Sequence, residues 1–312
     1  DVRAAAEARG LDAGQERAAA AVASADPLVI VEGAAGAGKT TMLGVVIEVA
    51  AEQGRPSRVV APTKRAALVA RDELGVPTAS VAALVHAHGW RWNRDGVWSR
   101  LAPGDTDPET GNAYPGPSES ALLARGERVI VDEAGMLDQA TAIALLTVCA
   151  EAGATVALVG DRAQLAAVGR GGVLDMAAQL RGRTFDMAEV HRFADPAYAE
   201  VTLQMRDGRN PGAVFDQLAE LGLVRLHTGG DELREHIAQE RQNDEAVTGT
   251  SNDEARAVNS SIRDKRVARG EVDDRSTAYG NDGLPIGAGD LIQTRKNNTR
   301  LGVANRQQWI VQ

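Results

Sequence analysis

Leu28-Val29-Ile30-Val31-Glu32-Gly33-Ala34-Ala35-Gly36-Ala37-Gly38-Lys39-Thr40-Thr41 is the stretch that decides how the rest of the chain is read. Four consecutive apolar residues predict a strand buried on both faces, as in a parallel sheet. The pattern Gly33-x4-Gly38-Lys39-Thr40 then matches the phosphate-loop (Walker A) template at each required place. Glycines let backbone N–H groups turn inward around phosphate oxygens. The helix that follows points its positive end at the same place. Lys39 is placed to reach β- and γ-phosphates, and the Thr40 hydroxyl to hold Mg²⁺. The candidate nucleotide-binding set is therefore Gly33, Ala35, Gly36, Ala37, Gly38, Lys39, Thr40 and Thr41.

Working outward, residues 129–134 read Val-Ile-Val-Asp-Glu-Ala. A carboxylate at a strand end beside a phosphate loop can hold Mg²⁺, which points to Asp132. Glu133 is the candidate that orients or deprotonates an attacking water. A third element, Leu158-Val159-Gly160-Asp161-Arg162-Ala163-Gln164-Leu165, sets a polar amide after another apolar strand. Sensing a γ-phosphate needs a neutral group that both donates and accepts, which suits Gln164.

The bulk numbers frame this site. A length of 312 residues suggests two domains. The net charge of −9 argues against a protein coated in positive charge but leaves room for a local nucleic-acid groove. One cysteine, Cys149, excludes an internal disulfide and a Cys-based zinc site, and a reducing, cytoplasmic setting is the expectation. No apolar run approaches the length of a membrane span, so no membrane partner is expected. The chain opens Asp-Val-Arg and stops within an apolar run, so both ends are expected to be cut from a longer protein.

Along the chain, residues 3–25 are predicted as one helix closed by Pro27. Helices are predicted at 39–53, 64–74, 80–88 and 138–151, and strands at 28–31, 57–61, 127–131 and 154–159. Alternating strands and helices with short turns imply an α/β fold, a parallel sheet covered on both faces. Between Gly89 and Ser118 the texture changes: Trp90, Trp92 and Trp98 sit among many prolines and glycines, which predicts an inserted hairpin or lobe. Beyond about residue 190, helices are predicted at 196–207, 211–221, 231–241 and 252–269. Strands are predicted at 223–227 and 245–250, and residues 288–312 alternate like short β-strands.

The series Gly33–Thr41, Ala61-Pro62-Thr63, Asp132-Glu133-Ala134, Gly160–Gln164 and His191-Arg192 resembles motifs I, Ia, II, III and IV of superfamily 1 helicases. It is most similar to the RecD-like branch. The tail Leu291-Ile292-Gln293-Thr294-Arg295-Lys296-Asn297-Asn298, with Arg300 to Asn305, is similar to the helicase portion of conjugative relaxases of the TraA/TraI type. The resemblance implies a RecA-like ATP-binding P-loop domain over residues 1–187, with its inserted lobe near 89–118. A partial second RecA-like domain would cover 188–287, and a β-rich SH3-like insertion would begin over 288–312.

The resemblance also implies roles. Gln15 matches the motif that reads the adenine edge, to which an amide can make two hydrogen bonds. Arg192 matches the motif IV arginine that reaches the γ-phosphate from the second domain. Pro62, Thr63 and Lys64, with Ser80 and His86, match single-strand-binding positions. Thr250, Ser251 and Asn252 could touch phosphates through hydroxyl and backbone N–H, and Trp90 or Trp92 could stack on a base. The implied ligands are ATP and Mg²⁺, the implied partner is single-stranded DNA, and the implied activity is a 5′→3′ DNA helicase of conjugative transfer. Motifs V and VI, the latter with a further arginine finger, do not occur before Gln312, so weak hydrolysis is expected of this piece. The alternatives are a stand-alone RecD-like repair helicase, an ATP-gated DNA-binding module without motor activity, and a P-loop ATPase acting on protein. Stimulation of hydrolysis by single-stranded DNA separates them.

Overall fold

The computed structural model describes residues 2–312 apart from Arg94, Leu165, Ala166, Val168, 242–244, Ser276, Thr299 and Arg300. Leu165 of the third motif and Arg300 of the tail therefore lie outside the described residues. The chain divides into two compact units, Asp1–Gln217 and Leu218–Gln312. The first runs past the expected boundary at 187.

The first unit opens with two helices, α1 (Val2–Ala8) and α2 (Ala13–Val22), where one was expected over 3–25. The Ala-rich composition favours helix throughout, but Gly10, at a φ of +67°, closes α1 with the Leu11 amide returning to the Ala6 carbonyl at 3.0 Å, and the next helix is opened by Asp12. Its carboxylate accepts from the amides of Gly14 (2.6 Å) and Gln15 (2.9 Å), while the Gln15 side chain accepts from the Asp12 amide (2.9 Å). This reciprocal cap restarts the chain as a new helix, at an advantage of about 1 kcal/mol over an uncapped end.

There follow β1 (Leu28–Gly33), α3 (Lys39–Glu52), β2 (Ser57–Ala61), α4 (Lys64–Leu74), β3 (Thr78–Ser80) and α5 (Val81–Ala87). A hairpin of β4 (Trp90–Trp92) and β5 (Trp98–Arg100) leads to β6 (Arg128–Val131) and a 3-10 turn over Ala134–Met136. The unit is completed by α6 (Gln139–Ala152), β7 (Thr155–Gly160), α7 (Val173–Arg181), β8 (Phe185–Met187) and α8 (Pro196–Asp207), and α9 (Pro211–Glu220) carries the chain across the division.

Six strands form one parallel sheet in the order β3-β2-β6-β7-β1-β8. The expected α/β class, a parallel sheet flanked by helices, is borne out. Residues 80–88 need correcting: the helix begins only at Val81, because Ser80 is its N-cap and the preceding Thr78–Ser80 pairs with β2. β8 had no strong signal of its own; three residues suffice because the end of β1 supplies the ladder.

Period-two alternation along the strands builds a core on each face. Ile30, Val129, Val131, Val156 and Leu158 pack with Leu84 and Val85 of α5, Leu145 and Cys149 of α6, and Leu174 of α7. Val29, Val31, Ile130, Ala157 and Val159 pack with Val22 of α2 and Met42, Leu43 and Val46 of α3. Each fully buried Val, Leu or Ile contributes about 1.5–3 kcal/mol. The lobe is pinned by a buried pair, Arg91 Nη2 to Asp107 Oδ2 at 2.7 Å, and by Arg100 forked on Glu151 of α6. Trp92 stacks on Trp98 with ring centroids 4.7 Å apart.

The second unit holds α10 (Gly230–Glu240) and α11 (Asn252–Ala268), linked by Lys265–Glu235 and Arg234–Glu254 ion pairs. Two small antiparallel hairpins follow, β9 (Ala278–Tyr279) with β10 (Pro285–Ile286) and β11 (Leu291–Gln293) with β12 (Gln308–Ile310). The strands expected at 223–227 and 245–250 are absent. Neither stretch pairs with a neighbour among the described residues, and a strand needs a neighbour to satisfy its amides. Leu226 is 81% exposed, as an apolar residue outside any packed sheet would be. No helix among the described residues is long and apolar enough to cross a membrane.

Candidate functional site

The carboxyl ends of β1, β6 and β7 lie side by side, the edge where open α/β sheets bind ligands. Register places Glu32 beside Gly160 and Val131 beside Leu158, so the phosphate loop, Asp132 and Asp161 emerge at one level. Lys39, the first residue of α3, is buried, and its ammonium donates to the carbonyls of Gly33 (3.0 Å) and Ala34 (3.3 Å). The loop thus folds around the side chain that would bind phosphate.

Gly36 has a φ of +85°, a region that disfavours any Cβ. The Gly36 carbonyl accepts from the His191 amide at 2.9 Å. His191 in turn bonds Asp12 Oδ2 through Nε2 at 2.7 Å. Burial pushes the Asp12 carboxyl up, but hydrogen bonds from the Gln15 amide, His191 and the Gly14 amide outweigh it and hold Asp12 below the usual carboxylate range. Arg192 therefore stands in the first compact unit, against the loop, rather than in the second as its motif implied. Its side chain is exposed and forms no ion pair among the described residues.

Gln15, expected at an adenine edge, is 5% exposed. Its Oε1 accepts from the Asp12 amide and its Nε2 donates to the Ala37 carbonyl at 3.0 Å, so in the structure it braces the phosphate loop.

Asp132 follows β6. Burial, then the adjacent Glu133 charge, pushes its carboxyl up to about 6. Lys39 acts in the opposite direction and Glu73 in the same one. Thr40 Oγ1 donates to Glu73 Oε2 at 3.1 Å. The Asp132 carboxyl, which feels the Glu73 charge, and the Thr40 hydroxyl, bonded to Glu73, are oxygen donors of the kind a hard divalent cation such as Mg²⁺ takes. Glu133 has a φ of +54°, unusual for a residue with a side chain and a form of local strain found at functional sites.

Gly160 and Gly135 explain how the second and third motifs come together. A Cβ on Gly160 would lie 2.8 Å from the Gly135 amide nitrogen, and one on Gly135 would lie 2.7 Å from the Asp161 carbonyl oxygen. Only glycine lets these two backbones touch. Gln164 follows on an exposed turn, its Nε2 donating to Asp161 Oδ2 at a long 3.5 Å.

The candidate DNA residues lie further along the same edge. Thr63 and Ser80 follow β2 and within β3, three and four strands from β1, roughly 15–20 Å away at the usual strand spacing. Both hydroxyls cap helices, Thr63 toward Ala66 and Ser80 toward Ala83. Pro62 and Lys64 flank the first cap and are part-exposed. His86 bonds Glu109 (3.2 Å) and meets Trp92 edge-on. In the second unit Thr250 is exposed just before α11, and Ser251 is that helix's N-cap.

Sequence reading missed Glu32, Asp161 and Arg206 as a connected group. Arg206 of α8 donates to Asp161 and to Glu32, and Arg162 joins Glu32 to Asp175. No motif marks Arg206, which is 174 residues from Glu32 in the chain.

Known proteins place this architecture. The fold is similar to a solved structure on DNA unwinding at forked dsDNA by two coordinating Pif1 helicases, at 16% identity over 96% of this chain and 70% of that one, with a TM-score of 0.55. It is similar also to Bacteroides sp Pif1 in complex with ADP-AlF4, at 16% identity over 96% and 69% of the two chains, with a TM-score of 0.52. At such identity the likeness is one of fold. The phosphate loop, the paired carboxylates, the third-motif turn and α8 all fall within residues 10–229, which match the AAA domain model, and the chain belongs to that AAA domain family.

Proposed function

We propose that the chain is the ATP-dependent motor part of a superfamily 1 DNA helicase that moves 5′→3′ on single-stranded DNA. The observation that carries this reading is the convergence of the loop 33–40 with Asp132 and Glu133 at one sheet edge, with Lys39 close enough to act on the Asp132 charge. The fold shared with Pif1 structures supports the helicase class. Placement within a conjugative relaxase rests on the tail Leu291–Asn298, whose first residues form β11. In this reading the first unit carries the RecA-like ATP site and the second begins the partner domain.

Loop amides and Lys39 bind the β- and γ-phosphates of ATP. Thr40 and Asp132 hold Mg²⁺, which when bound supplies neutralisation of phosphate charge. Glu133 orients a water whose oxygen attacks the γ-phosphorus, and accepts its proton as ADP leaves. Gln164 and Arg192 contact the γ-phosphate and report its loss. Residues at the ends of β2 and β3 grip one DNA strand, so each cycle of binding and release moves that grip.

The test is binding of a fluorescent ATP analogue with and without Mg²⁺, together with ATP hydrolysis with and without single-stranded DNA. Lys39→Ala should abolish binding, and DNA should stimulate hydrolysis. Normal binding by Lys39→Ala, or stimulation by protein but not DNA, would overturn the reading.

A further inference from the structure

We propose that Arg206 is a positioning residue for γ-phosphate sensing: by holding Asp161 it leaves the Gln164 amide available to the nucleotide. The proposal rests on the reading of the loop 33–40 and Gln164 as an ATP site.

The Asp161 side chain is 1% exposed. A carboxylate so placed needs compensation for its lost water. Its Oδ1 accepts from the Ala163 amide at 2.9 Å, which shapes the turn leading to Gln164. Among the described residues, two side chains donate to it. Arg206 approaches as a fork, with Nε 3.1 Å from Oδ1 and 3.2 Å from Oδ2 and Nη2 2.9 Å from Oδ1. Gln164 Nε2 reaches Oδ2 only at 3.5 Å.

The asymmetry is the functional point. Charge-assisted, forked bonds from arginine are much stronger than a long neutral amide contact. With Arg206 present, the Asp161 charge is met, and Gln164 can turn toward a phosphate oxygen at little cost. Without it, Gln164 is the remaining side-chain donor to a buried charge and is drawn inward. The same guanidinium bonds Glu32 Oε1 at 3.2 Å, one residue before the phosphate loop. Glu32 also has Arg162 Nε at 2.6 Å, so it keeps a partner when Arg206 is removed. Asp161 is the group that loses. Because Arg206 lies on α8, movement of that helix would change how firmly Asp161 is held.

The experiment measures equilibrium affinities of the 312-residue chain for a non-hydrolysable ATP analogue and for ADP, with Mg²⁺. The readout is their ratio, set beside thermal melts of each variant. Arg206→Ala should reduce the preference for the triphosphate by about tenfold, within the usual range of coupling between sites. Arg206→Lys, which restores a charge against Asp161, should recover part of it. Arg206→Ala combined with Gln164→Ala should show no greater loss than Gln164→Ala alone. A merely structural arginine would weaken both nucleotides equally and leave the ratio alone. The proposal is overturned by an unchanged ratio in Arg206→Ala, or in the bulk-preserving Arg206→Gln should the alanine variant not fold. Additive losses in the double variant, or equal binding of the two nucleotides by the wild type, also overturn it. A wild-type chain that binds neither nucleotide instead sinks the ATP-site reading itself.

Discussion

Gly36 and Arg192 are in such close contact that a methyl group on Gly36 would lie 2.4 Å from the Cβ of Arg192. The adjoining His191 amide bonds the Gly36 carbonyl, so the segment after β8 rests directly on the phosphate loop. Gly36→Ala would place a side chain at φ +85° and push that segment away. The backbone cost alone is about 1–2 kcal/mol. The affinity for an ATP analogue should fall by about tenfold or more for that cost together with the displaced contacts. A titration that matches wild type would show that loop and segment can separate freely.

Asp132 carries a stability cost at neutral pH, because its carboxyl is buried beside Glu133. Burial, and then the Glu133 charge, push its carboxyl in the folded chain up to about 6, above the ordinary aspartate value of 3.8. The folded chain therefore binds the proton more tightly, and this group's contribution to stability declines as pH rises from about 4 to about 6. In metal-free buffer at pH 7, Asp132→Asn should raise the unfolding free energy by roughly 1–3 kcal/mol. The gain should vanish at about pH 3.5. The same variant should lose the Mg²⁺ dependence of nucleotide binding. Urea titrations at the two pH values read the first effect; a destabilised variant at pH 7 would contradict the burial argument.

The Arg91–Asp107 pair has the opposite sign. The Arg91 guanidinium, followed by the Glu109 amide, holds the Asp107 carboxyl down at about 2. Its stabilising contribution is complete above about pH 4 and is lost as pH falls toward 2. The lobe should loosen in that window, visible in the fluorescence of Trp90, Trp92 and Trp98. Asp107→Asn should remove the acid transition and weaken the lobe at neutral pH, because it leaves Arg91 buried without its charge partner. An acid transition unchanged in that variant would assign the loosening elsewhere.

Leu145 of α6 is fully buried against the sheet. Leu145→Ala should cost about 2–5 kcal/mol, the sum of lost transfer energy and the cavity left behind. The nucleotide loop packs mainly with the opposite face, so affinity measured well below the melting temperature should change little. Denaturant unfolding and analogue binding check the two halves separately.

Much of this was legible in the chain. Val29–Val31 and Val129–Val131 announced buried parallel strands because both faces of such strands must be apolar. The phosphate loop announced itself because backbone-mediated anion binding demands glycines at set places. What stayed hidden depended on partners distant in sequence. Gln15 braces the phosphate loop because its side-chain amide meets the Ala37 carbonyl, 22 residues further along the chain. The apolar pattern of 223–227 failed to become a strand because alternation supplies a face but no neighbour to pair with.

The residues by themselves determined the parallel α/β class and the identity of the loop, since local spacing alone specifies strand burial and phosphate geometry. Only the folded chain decided that Gln15 braces Ala37, that His191 and Arg192 lie on Gly36, and that Arg206 joins Asp161 to Glu32. The physical reason is range. Hydrogen bonds and buried charges act over a few ångströms in space, and which groups come that close is set by the sheet order and the packing of helices on it.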